Sequence, residues 1–176
     1  TNQSRPSLST FGASSWLPSL ISIAIIRALA PLVTALIAAG KVGSNMGAEL
    51  GSMKVTEQID AMEVSGTNPF KYLVITRVTA TTLMVPTLVI ISDIISLCGS
   101  AMVESIKGGV TFHLYFSRVF EYLTFGDLLP SIIKSFFFGF AIGIVGCYKG
   151  YTSTKGTEGV GLTANQAVVV SSMLVF

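Results

Sequence analysis

Charged residues are scarce in this 176-residue chain, making up 11% of it against about 25% in ordinary soluble domains. Hydrophobic residues account for 51%, and the mean hydropathy is +0.71. A chain so poor in charge and so rich in apolar side chains is predicted to be a membrane protein. No block of basic residues with interleaved aromatics occurs, so nucleic acid is not expected among its partners.

Cysteine and histidine are nearly absent, which removes most routes to metal binding and nucleophilic catalysis. Cys98 and Cys147 both lie in apolar runs, where a buried free thiol is expected rather than a disulfide or a metal ligand. His113, the single histidine, has no Cys or acid cluster at ligand spacing and is expected to be structural or interfacial. The sequence also has no HExxH motif and no G-x-x-x-x-G-K-S/T phosphate loop. We therefore expect no catalytic residues, no metal, no cofactor and no enzyme, and uphill transport would need energy from a partner or an ion gradient.

Four apolar runs define the predicted fold. They occupy residues 16–39, 78–103, 128–148 and 162–176. The first three are about 20 residues or longer, which is enough to span a bilayer. The fourth stops after 15 residues, and the polar segment 1–15 has neither an initiator Met nor the features of a signal peptide, so we expect a chain incomplete at both ends. The prediction is an all-α membrane protein, a polytopic helical bundle that forms a single transmembrane domain over residues 1–176.

Three charged residues lie inside these runs. Lys134 lies about one turn inside the end of the third run and can extend its ammonium group to the interface. Arg27 and Asp93 lie deeper, where a charge is costly and usually marks a paired or functional position. Arg27 interrupts the first run near its middle, which indicates a functional site or, alternatively, a re-entrant or tilted segment. Asp93 is the one acid of the second run. It is either a polar contact along a transport route or a partner for a hydroxyl or for Arg27 within the helix bundle.

Residues 40–71 form a polar island between the first two runs and carry 7 of the chain's 20 charges. Such a segment is expected in water or against another protein at the membrane edge. Small residues recur every four positions from the first run into the island, and again in the third run, which predicts close helix packing. They are Ala35, Ala39, Gly43, Gly47 and Gly51, with Gly139 and Gly143 in the third run.

The apolar residues of the island fall into two helical sets that would point to opposite sides of one straight helix. A break between Gly51 and Val55 removes this conflict and predicts a short amphipathic helix over Thr56–Ser65. Thr56 is expected as its N-cap and Gly66 at its left-handed C-terminal position. The first set is Met46, Leu50 and Met53, the second is Val55, Ile59 and Met62, and the acidic face of the predicted helix is Glu57, Asp60 and Glu63.

Two further polar segments separate the later runs. Residues 104–126 mix charges and aromatic rings, which is typical of an amphipathic loop at the membrane interface. Residues 149–161 are rich in Gly and Thr, which predicts an irregular loop. Lys and Arg are in excess in the island and in this second loop, and that bias places both in the cytoplasm.

Two stretches of the chain bear a resemblance to a known family. ALAPLVTALIAAGKVGSNMGAELGSMKVTEQIDAMEVSGTNPFKYLVITRV, which begins at Ala28, resembles the signature of the MlaE family of ABC-transporter permeases. KGYTSTKGTEGVGLTANQAVVVSSMLVF is similar to a second segment of that family. The resemblance covers roughly Gly12–Phe176, with Ala28 and Ala30 standing where the family often has Glu and Gly.

The resemblance implies a permease domain over residues 1–176 that works with a cytoplasmic ABC ATPase subunit and a periplasmic lipid-binding protein of the MCE type. It implies movement of phospholipid or a related lipid between membranes. The location implied is the inner membrane of a diderm bacterium, with the plastid inner envelope as the alternative.

Within this family the island becomes the predicted coupling region for the ATPase. Ile59 and Met62 are predicted as apolar anchors, with Glu57, Asp60 and Glu63 as the polar rim. A helix lying on the inner leaflet is the alternative, and it fits less well because such helices favour Lys and Arg.

The sequence also predicts a partner for Glu49, an oligomeric state and two rival functional classes. Glu49 is predicted to pair with a basic group such as Lys41 or Arg77, the alternative being a solvated side chain. A homodimer with the lipid path between two copies is predicted, since four apolar runs offer few enclosing walls. The rival classes are a gradient-driven secondary transporter, for which Arg27 and Asp93 supply ionisable groups, and a non-transporting membrane scaffold.

Overall fold

Helices without strands make up the described part of the chain, which comprises residues 23–108, 111–122, 125–153 and 156–176 of a computed structural model. The predicted class, an all-α membrane protein, is confirmed. The predicted polar segment 1–15 and residues 16–22 of the first apolar run lie outside the described residues.

The helices follow one another with short connections. α1 is Ala30–Ala38, α2 Ser44–Val55, α3 Gln58–Val64, α4 Thr76–Gly108, α5 Phe112–Tyr122, α6 Phe125–Tyr151 and α7 Thr157–Val175. Wider π turns cover Ile25–Leu29, Ala39–Gly43 and Phe70–Ile75, and they join the α-helices into longer continuous helices.

Three of these continuous helices are long and apolar enough to cross a membrane, and they cover Ile25–Val55, Phe70–Ile106 and Leu128–Tyr151. The first runs past the predicted end of its apolar run at residue 39, so the first half of the polar island continues the membrane helix. The second begins at Phe70 rather than at residue 78, because the π turn there leads into α4 without a break. The fourth apolar run lies in α7, which is helical but is not one of these three.

Both predicted loops are largely helical, so those two predictions are wrong. Residues 104–126 contain the end of α4, all of α5 and the start of α6, and α5 buries Tyr115 and Val119 while His113 is exposed. Residues 149–161 contain the end of α6 and the first turn of α7. Gly and Thr are weak helix formers, but packing against neighbouring helices outweighs that preference.

Contacts divide the described chain into two compact units, of which the first contains residues 23–31 together with Val89–Ile133. In this unit α5 packs on the second half of α4 through Ala101, Tyr115 and Val119. The hydroxyl groups of Ser100 and Tyr115 lie 2.6 Å apart in a hydrogen bond, so the buried phenol has a partner.

The second unit contains Leu32–Leu88 and Lys134–Phe176, and it is built around the helix that carries α1 and α2. Two apolar clusters form its core. The first is Ala35, Ala38, Ala39, Val85, Ile142 and Val175, and the second is Leu50, Ile59, Leu73 and Cys147 with Met46, Met53 and Met62 packed against it.

A line of small residues stays buried along one side of the first membrane helix for four turns. Its members are Ala35, Ala39, Gly43, Gly47 and Gly51. In a regular α-helix, with about 100° per residue, the line would rotate by about 160° between its first and last members. A π turn holds one residue more than an α-helical turn, so one residue of the line adds no rotation about the helix axis. The π turn at Ala39–Gly43 therefore reduces the rotation between the first and last members to about 60°. The line can therefore keep facing one neighbour.

The two cysteines differ in burial. Cys147 is buried as predicted, whereas Cys98 is exposed, so the prediction for Cys98 is wrong. Cys98 lies on the outward side of α4, where Ile94 and Met102 are also exposed. A membrane helix presents apolar side chains to lipid as well as to protein, so apolar surroundings in the sequence do not establish burial.

Candidate functional site

α2 is held between α6 and α7 by very close backbone approach. Towards α7, a Cβ placed on Gly47 would lie 3.2 Å from Ala167 Cβ. Towards α6, a Cβ placed on Gly150 would lie 2.6 Å from Leu50 Cβ, which is closer than real Cβ atoms come. Contacts of this kind let helices pack with little side chain between them, so α2 is a tightly held piece of the second unit.

A second set of glycines lies along α6 and meets two different neighbours. A Cβ on Gly139 would lie 2.6 Å from the carbonyl oxygen of Thr81 in α4, and one on Gly143 would clash with the Thr81 hydroxyl. Gly146 and Gly150 instead approach α2. The sequence-based prediction missed these last two, although all four glycines follow one another at helical spacing and the pattern was visible in the sequence.

The chain turns sharply between α2 and α3. Thr56 ends α2, and its hydroxyl donates to the carbonyl oxygen of Ser52 at 2.9 Å. Glu57, not Thr56, is the N-cap of α3, and its backbone is left-handed with φ 58° and ψ 16°. The predicted N-cap is therefore wrong, and the predicted helix Thr56–Ser65 is shorter at both ends. Gly66 has φ 81°, which agrees with the predicted left-handed position after the helix.

This corner brings members of both apolar sets of the island into one cluster rather than onto opposite sides. Ile59 is 0% exposed and packs with Leu50, and Met62 packs against the same cluster. The left-handed residue reverses the direction of the chain, so the helical phase of α2 cannot be extended into α3. Ile59 is consequently occupied within the chain and is not free to act as an anchor for a partner.

The outer surface of α3 is acidic, with one large apolar side chain. Glu57, Asp60 and Glu63 are exposed, and Val64 is 90% exposed at the end of the helix. A groove of about 390 Å³ adjoins this surface. It is lined by Glu63, Gly66, Thr67, Asn68, Pro69, Phe70 and Tyr151.

Two ion pairs tie this region together. The carboxylate of Glu49 accepts hydrogen bonds from Nη1 and Nη2 of Arg77 at 2.8 and 2.7 Å, which joins α2 to α4 and selects Arg77 over Lys41 as its partner. Lys54 Nζ donates to Asp60 Oδ1 at 2.8 Å and joins α2 to α3. A two-pronged contact between arginine and a carboxylate is among the strongest polar side-chain contacts, so the Glu49 pair fixes geometry as well as charge.

The other two polar residues singled out in the sequence lie in the first unit. Arg27 is exposed within the π turn Ile25–Leu29. Asp93 is 6% exposed, and its Oδ1 has no hydrogen-bond partner among the described residues. Within the described ranges no three His, Cys, Asp or Glu side chains come together to hold a metal ion. The functions predicted for Arg27, Glu49 and Asp93 stay predictions.

Comparison with known proteins finds a family model described as Permease MlaE, which matches residues 1–176. A probable ABC transporter permease protein of Rickettsia typhi is 40% identical over 173 residues, which is 98% of this chain and 67% of the relative. Probable ABC transporter permease proteins of Synechocystis and of Pyropia yezoensis are 37% and 39% identical, over 94% and 93% of this chain and 63% and 62% of those relatives.

Proposed function

The chain belongs to the MlaE permease family of ABC transporter permeases and is a multi-pass membrane protein, and from that premise we propose that it moves phospholipid or a related lipid between membranes, driven by a cytoplasmic ABC ATPase. The chain spans about two thirds of the relatives it matches, so this proposal concerns the whole protein.

The outer surface of α3 is the observation that carries the proposal. α3 has seven residues, too few to cross a membrane. Its buried Ile59 packs in the second apolar cluster, and the Lys54–Asp60 ion pair joins it to α2. Its anchoring leaves Val64 and two acids, Glu57 and Glu63, exposed on the outward side. An element fixed to the membrane helices on one side and exposed on the other is suited to pass a partner's movement into those helices.

The residues of the chain support an energy source outside it. Residues 1–176 contain no phosphate-binding loop, which favours ATP hydrolysis in a partner. The acidic character of α3 favours a basic surface on that partner, because complementary charge guides the two proteins into register.

We further propose two protein partners, a substrate and a location. The partners are a periplasmic MCE-domain lipid-binding protein and a second copy of the chain, with the lipid path between the copies. The substrate is phospholipid. The location is the inner membrane of a diderm bacterium, with the plastid inner envelope as the alternative, and α3 lies on the cytoplasmic side.

The test is retention of the ATPase by full-length protein carrying changes on α3. Val64→Asp and Glu63→Lys alter the outer surface only, so each should reduce ATPase retention in a pull-down while the permease elutes unchanged in size-exclusion chromatography. Glu158→Lys, a matched charge reversal at an exposed position in the first turn of α7, should retain the ATPase at the wild-type level.

Other outcomes assign other functions. Lipid movement that needs an ion gradient and proceeds without any ATPase would identify a secondary transporter. Wild-type protein that neither retains an ATPase nor moves lipid would fit a membrane scaffold. Full retention by both α3 variants would leave the family membership intact but remove α3 as the coupling element.

A further inference from the structure

The groove beside α3 lies within the second unit and is formed where three elements meet. α3 contributes Glu63, the connection after it contributes residues 66–69, and Phe70 and Tyr151 come from the start of the second membrane helix and the end of α6. Its volume is about 390 Å³, whereas one water of the liquid occupies about 30 Å³. The groove therefore has room for a whole side chain.

The lining of the groove offers little to an anion. Among the described residues that line it there is no Lys, Arg or His. The backbone amides of the connection donate within the chain, that of Gly66 to the carbonyl oxygen of Glu63 at 3.0 Å and that of Thr67 to the carbonyl oxygen of Met62 at 3.1 Å. The one charged group in the lining is the Glu63 carboxylate. The groove is therefore complementary to a cation.

Two aromatic rings share this lining with the carboxylate. Phe70 is 56% exposed, and Tyr151 is partly buried because it packs against the second apolar cluster. A guanidinium group binds a carboxylate through two parallel hydrogen bonds and stacks on aromatic rings, whereas an ammonium group acts as a point charge. An acid with two rings beside it is therefore best suited to an arginine side chain.

A cation at the membrane edge comes either from a phospholipid headgroup or from a protein side chain. The ammonium group of a phospholipid is joined to a phosphate, and the described lining has no basic group or free amide of Gly66 or Thr67 to receive that phosphate. A protein side chain brings its cation without an anion. The groove also adjoins the outer surface of α3, which carries the proposed ATPase contact, so the observations favour a protein side chain.

We propose that this groove binds a basic side chain of the partner ATPase, an arginine in preference to a lysine. Glu63 is its ionic partner, and the rings of Phe70 and Tyr151 lie beside it. The inference rests on the proposed function, because it requires an ATPase on α3. It also separates the exposed acids of α3, since Glu63 lines the groove and Glu57 does not.

The first test neutralises these two acids one at a time. Full-length permease with Glu63→Gln should bind the ATPase about tenfold more weakly than wild type, because the cation then enters the groove without a counter-charge. Glu57→Gln, the matched control on the same helix, should weaken binding less than about threefold. Titration of the ATPase in detergent measures both, with size-exclusion chromatography to show that each variant is folded. Equal losses in the two variants would overturn the groove as a specific contact.

The second test removes a ring. Phe70→Leu keeps an apolar side chain at the groove and should weaken ATPase binding about two- to fivefold through loss of the contact between cation and ring. Tyr72 is 64% exposed and is not part of the lining, so Tyr72→Leu should leave binding unchanged. The same affinity in both variants would overturn the aromatic contact and with it the preference for arginine.

The third test identifies the occupant by photocrosslinking. Phe70→benzoylphenylalanine should crosslink to an ATPase peptide that contains Arg or Lys, whereas the same photoreactive residue in place of Tyr72 should not. Glu63→Arg should abolish ATPase binding, and a change of the crosslinked basic residue of the ATPase to Glu should restore it. Crosslinks from position 70 to phospholipid alone would identify a headgroup site and overturn the proposal.

The outcomes separate the two proposals. If the wild-type permease binds no ATPase, the proposed function fails and the groove proposal fails with it. If wild type binds the ATPase, Glu63→Gln binds it equally well and the charge exchange restores nothing, the groove proposal is wrong while the proposed function stands.

Discussion

Glu57 holds a backbone conformation that costs an ordinary L-residue about 1–2 kcal/mol, and it is the one non-glycine residue with positive φ in the part of the chain described. Glu57→Gly should therefore preserve or raise the unfolding temperature in detergent, whereas Glu57→Ile should lower it. Gln58→Gly, one position later in regular helix, should be destabilising by roughly 0.5–1 kcal/mol. A loss of stability in Glu57→Gly equal to that in Gln58→Gly would show that the corner is not strained.

Gly150 and Gly161 give a matched pair of glycines in helices. A Cβ on Gly150 meets Leu50 and the backbone of α2, whereas one on Gly161 meets no atom of the described residues within 4 Å. Gly150→Ala should be destabilising by about 1–3 kcal/mol because α2 and α6 must move apart. Gly161→Ala should be neutral or stabilising by up to about 1 kcal/mol. Thermal unfolding of the two variants in the same detergent compares them directly, and equal behaviour would argue against close packing at Gly150.

The Glu49–Arg77 pair is partly exposed, with side-chain exposures of 61% and 21%, so its net contribution is expected to be modest. Glu49→Arg places two like charges together and should destabilise the protein, and Arg77→Glu should do the same. The double variant restores an attractive pair and should recover about 0.5–1 kcal/mol relative to the sum of the single changes. A purely additive double-mutant cycle would mean that the two side chains do not interact in the membrane.

At the scale of the helix, α3 depends on Ile59 for its position. Ile59→Ala empties a fully buried site shared with Leu50, Leu73 and Cys147 and should cost about 2–5 kcal/mol. Val64→Ala, at the outer end of the same helix, should change stability by less than about 0.5 kcal/mol. Urea or thermal unfolding measures both, and similar small losses would indicate that α3 is not docked on the cluster.

How far the sequence predicts an element depends on which forces position it. The long apolar spans, the small-residue line and the glycine after α3 follow from local composition, and the structure contains all of them. The joining of Met46, Leu50 and Ile59 in one cluster does not follow, because it depends on a left-handed Glu57 that no local preference favours. The π turns could not be predicted from the sequence either, since they arise from packing of a whole helix against its neighbours. α5 was missed because aromatic and polar residues fit a surface loop and an amphipathic helix equally well.

At the scale of the whole molecule, the proposed lipid path requires a second copy of the chain. Crosslinking of the purified, ATPase-bound transporter should give a species of twice the permease mass, and the yield should not fall on dilution. A transporter that is active and yields only monomeric permease under these conditions would refute the homodimer.

A second prediction for the whole molecule is that α3 and the α6–α7 connection both face the cytoplasm. Single cysteines placed at Val64 and Thr152 test it, because a membrane-impermeant label should reach both from the cytoplasmic side only.

A backbone contact at Gly139 joins α6 to α4, and both belong to helices that are long and apolar enough to cross a membrane. When such helices separate within a bilayer, lipid tails replace protein, and little apolar surface becomes exposed to water. Exposure of apolar surface to water is what gives ordinary unfolding its large positive heat-capacity change. Helix separation in this protein is therefore expected to have a small heat-capacity change, so its stability should decline almost linearly on warming and should not weaken in the cold.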